Sequence, residues 1–104
     1  MKILVYDIPA RIGGALSVLK ELYAYACERK DIDWVFVINP MVIRLSIFNQ
    51  NENVKIVAAE KTEDSWLQRV FFDNTKLKVL VSEEKPDLIL SLANVTIPIS
   101  GIPQ

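Results

Sequence analysis

The 104-residue chain has no histidine, one cysteine and three glycines. Without histidine, Ser-His-Asp and Cys-His catalysis, histidine metal sites and the usual proton shuttle drop out, because no other side chain titrates near neutrality unaided. The single thiol, Cys27, excludes a disulfide within the chain. Near the end of a helical segment it reads as a small buried residue rather than a nucleophile. An excess of one charge is lacking too. Twelve basic and 13 acidic residues leave a net charge of −1, so neither nucleic acid nor an anionic membrane is expected as a partner. The longest apolar run falls far short of a membrane span, and the N-terminus enters a strand pattern instead of a signal-peptide core. The expectation is a cytoplasmic protein. No G-x-G-x-x-G and no G-x-x-x-x-G-K-[ST] occurs, which removes dinucleotide binding and P-loop hydrolysis, and no metal or cofactor is implied.

What is present is an apolar chain, 51% hydrophobic with a mean hydropathy of +0.23, long enough for one domain over residues 1–104 with a real core. Lys2-Ile3-Leu4-Val5-Tyr6-Asp7 is an apolar run ending in a carboxylate, the pattern of a strand covered on both faces. Ile8 to Gly14 reads as a turn containing Pro9 and the Gly13-Gly14 pair. From Ala15, Leu16, Leu19, Leu22, Tyr23 and Ala26 recur at helical steps as far as Arg29. A strand, a glycine turn and a helix start together present free backbone N–H groups and the positive end of a helix dipole, a setting that favours phosphate or another anion. A plain turn is the competing reading of the two glycines.

Trp34 to Ile38 is a second buried strand, stopped by Asn39-Pro40, where Asn39 caps a short helix over Met41 to Phe48 with Pro40 at its first position, although Val42, Ile43 and Ile47 suit an extended segment equally well. Asn49 to Asn53 is a polar loop. Val54 to Ala59 is a third strand whose Lys55 suggests a place near the sheet edge. Ser65 and Gln68 form a capping box for a long helix reaching about Glu84, ended by Pro86, and Arg69 and Asp73 lie one turn apart in it, a structural pair with a ligand role as the competing reading. Asp87 to Leu92 is a fourth strand ending near Asn94. Strands alternating with helices predict an α/β fold: a Rossmann-like, three-layer parallel sheet of order 3-2-1-4. Ligands bind such sheets beyond the carboxyl ends of the strands where the order reverses, which puts Asp7, Gly13, Gly14, Ser91 and Asn94 at a candidate site, with Arg11 the one cation near the turn. The apolar strand 87–92 would be an uncovered edge, so a larger domain or self-association through that edge is expected.

The opening strand, Gly-Gly turn and helix resemble the N-terminal domain of GT-B glycosyltransferases, particularly the retaining family 4 enzymes of polysaccharide synthesis. Ser65-Trp66-Leu67-Gln68-Arg69 with Asp73-Asn74, and then Lys85-Pro86-Asp87-Leu88-Ile89-Leu90-Ser91-Leu92-Ala93-Asn94, look like a bacterial group of these enzymes. The resemblance spans the chain but only about the first quarter to third of such an enzyme, whose donor-binding C-terminal domain is absent. It implies a nucleotide-sugar donor and a saccharide or lipid-linked acceptor, with no catalysis by this part alone. Gly13 and Gly14 match the loop that approaches the donor diphosphate, and Asn94 the region facing the acceptor in a cleft with Asp7, Arg11 and Ser91, with a plain strand-end cap an equally good reading of Asn94. A peripheral place at the inner membrane is implied for the full-length enzyme. The alternatives kept open are a flavodoxin-like or Rossmann-like binding module without catalysis and an assembly protein pairing through its edge strand.

Overall fold

The computed structural model describes residues 1–7, 13–43, 48–58, 76–92 and 102–103. Within them the chain forms β1 (Lys2–Asp7), α1 (Gly13–Glu28), β2 (Asp33–Ile38), α2 (Pro40–Ile43), β3 (Val54–Ala58), α3 (Lys76–Glu84) and β4 (Leu88–Ser91). The four strands make one sheet in the order β3-β2-β1-β4, with every neighbouring pair parallel. The alternation of strands and helices therefore specified the architecture correctly, and Lys55 does lie on an edge strand.

Side-chain alternation splits the core in two. Ile3 and Val5 of β1 join Trp34, Phe36 and Ile38 of β2 beneath Leu16, Leu19 and Ala26 of α1, with Val42 and Phe48 beside them. Leu4 and Tyr6 join Val35, Val37 and Ile89 beneath Leu77 and Val81 of α3. β1 and β2 are apolar on both faces because both are covered, as central strands of a parallel sheet must be. Burying Leu19, Phe36 or Leu77 completely is worth about 2–3 kcal/mol each relative to exposure.

Three local devices fix the ends of the elements. Asn39 Oδ1 accepts the Met41 N–H at 3.0 Å and so caps α2, with Pro40 at the first helical position where its missing N–H is harmless. Phe48 lies outside that helix, which is described only to Ile43. Buried Asn53 donates from Nδ2 to the carbonyls of Ala26 and Arg29, both at 3.0 Å, a second donor for each beside the backbone N–H groups of Arg29 and Ile32, which ties the end of α1 to the loop before β3. At the end of α3, Lys85 adopts φ 49° and its N–H reaches the Val81 carbonyl at 2.9 Å, a left-handed stop that Pro86 then enforces. The expected 20-residue helix is described only from Lys76; Ser65, Gln68, Arg69 and Asp73 lie outside the described residues.

At the outer side of β4 the N–H of Ile89 is taken by the Pro103 carbonyl at 2.8 Å, and Ile102 packs on the α3-side core. The chain thus supplies a contact of its own to the edge expected to be bare. No helix among the described residues is long and apolar enough to cross a membrane.

Candidate functional site

The carboxyl edge of the sheet gathers two of the predicted residues, Asp7 and Ser91. Asp7 is the last residue of β1 and is in register with Ile38 of β2, whereas Tyr6 is in register with Ser91 of β4. The Leu92 N–H donates to the Tyr6 carbonyl at 3.1 Å, so the ends of β1 and β4 are joined at the point where the strand order reverses. Alternation then separates the side chains. Asp7 follows Ile3 and Val5 onto the α1 face, while Ser91 shares the α3 face with Tyr6 and Ile89. Asp7 and Ser91 sit at one edge but on opposite sides of it. Arg11 and Asn94 lie outside the described residues.

Gly13 and Gly14 are not in a turn before the helix, as the sequence suggested, but form its first two positions. The helix starts early because its first N–H groups need no intrahelical partner, so glycine's poor propensity is little felt there. Gly14 has no left-handed φ, and a Cβ built on it would meet nothing within 4 Å. Neither backbone conformation nor internal packing therefore demands a glycine at this position. The first turn of α1 carries no acidic side chain, so its positive end is not neutralised from within the helix.

Asp7 is only 4% exposed, and among the described residues none donates a hydrogen bond to its carboxylate. Burial alone acts on it and pushes its pKa up to about 6 from 3.8. Because the folded value is raised, the protonated form carries no penalty below the unfolded value. Stability is lost as pH rises from about 4 through 6, by up to about 3 kcal/mol for a two-unit shift. A buried carboxylate with a raised pKa at the carboxyl edge of a parallel sheet is a candidate site position.

Chemically, the α1 face of this edge offers an acceptor for hydroxyl or amino groups at Asp7 and backbone donors for an anion at the start of α1. Among the described residues no cluster of three or more histidine, cysteine, aspartate or glutamate side chains is placed to hold a metal ion. The opposite, amino-terminal edge contains a groove of about 440 Å³ lined by Lys2, Lys55, Glu84 and the loop 50–53. Its polar groups are largely committed internally: Glu84 pairs with both Lys2 and Lys55, Asn53 holds the end of α1, and Asn51 holds β3. Among the described residues, Trp34 Nε1 and Asn53 Oδ1 have no hydrogen-bond partner, but both atoms are sealed from solvent and hence from that groove. Asn39, 1% exposed just past the end of β2, is buried where its side-chain oxygen caps α2, in keeping with the cap read from the sequence.

Comparison with family models, with curated proteins and with solved structures finds no match for this chain.

Proposed function

We propose that the chain is the acceptor-side, N-terminal part of a glycosyltransferase that moves a sugar from a nucleotide-sugar donor to a saccharide or lipid-linked acceptor. The observation that carries the reading is Asp7: a carboxylate almost without solvent contact, unbonded among the described residues, on the face and at the end of the sheet where α1 begins. Sugar hydroxyls supply the donors that such a group lacks. The open space at Gly14 lets a diphosphate approach the backbone of the first turn, which agrees with the Gly-Gly resemblance. In this role the chain binds and orients, and the cations needed to stabilise a departing nucleoside diphosphate come from elsewhere.

The test is calorimetry with a uridine diphosphate sugar, comparing the wild type with Gly14→Val and Asp7→Asn. The proposal expects saturable binding that Gly14→Val abolishes. Wild-type binding unchanged by either substitution, or none at millimolar ligand, overturns it. A second reading, a binding module without catalysis on the same sheet, is favoured by the internal bonds along both outer strands. It predicts that the bound nucleotide sugar is never consumed when acceptors are supplied to any longer protein containing this chain.

A further inference from the structure

We draw no further inference here: the strongest candidate, the groove at the amino-terminal edge of the sheet between Lys2, Lys55 and Glu84, has these charged groups paired with one another, and nothing among the described residues shows what would occupy it.

Discussion

Gly14→Ala separates a glycine kept for the fold from one kept for a visitor. The residue sits at the second position of a 16-residue helix with no left-handed φ, and the added methyl meets no atom within 4 Å. Packing therefore contributes nothing in either direction. What remains is backbone entropy and helix propensity, which favour alanine over glycine by about 0.4–1 kcal/mol at a compatible position. The lower half of that range fits the first turn, where fewer intrahelical bonds are at stake. For a chain of 104 residues, about 0.5 kcal/mol raises Tm by about 2–4 °C. Urea denaturation followed by circular dichroism measures the same gain as a higher midpoint at unchanged slope. In parallel, the affinity for a nucleotide sugar is expected to fall, since the methyl enters the space that the diphosphate needs. Stability and binding then move in opposite directions. A destabilised Gly14→Ala would refute the reasoning by showing that the glycine serves the chain's own structure.

The remaining predictions concern the scaffold. Asn53→Ala removes one of the two donors to each of the carbonyls of Ala26 and Arg29, which keep backbone N–H groups from Arg29 and Ile32, and is expected to cost about 1 kcal/mol in chemical denaturation. Lys85→Gly relieves a left-handed residue at the end of α3 and is expected to gain about 1 kcal/mol, read as a higher Tm. Glu84→Gln removes the carboxylate that Lys55 and Lys2 share. Its pKa is held below the usual value chiefly by the hydrogen bond from Lys55, so the stability it provides is present above about pH 4.5 and is lost on acidification. With both lysines partly exposed, the expected loss at neutral pH is about 1 kcal/mol, and the acid slope of stability should flatten in the variant.

Much of the fold was legible because period and composition decide it. The apolar runs ending at Asp7 and Ile38 can only be strands buried on both faces, and their alternation with helical segments leaves few sheet orders. The start of α1 was misplaced by two residues because glycine propensity argues against helix, while the first turn barely tests that propensity. Asp7 could be named from its place at the end of a strand, but its separation from Ser91 needed the register of β1 with β4. The long-range contacts were not readable at all. Nothing local announces that Gln50 and Asn51 fold back onto β3, or that Pro103 returns to Ile89, because each bond depends on where the sheet places distant backbone groups.

Carbon-13 NMR of the Asp7 carboxyl, titrated with and without a saturating uridine diphosphate sugar, tests the ligand-edge claim most directly. The free chain should titrate near pH 6. Sugar hydroxyls donating to the ionised group should move that midpoint downward, because hydrogen bonds to the charged form favour it. A midpoint that ignores the ligand contradicts the account, and so does a free value in the ordinary aspartate range.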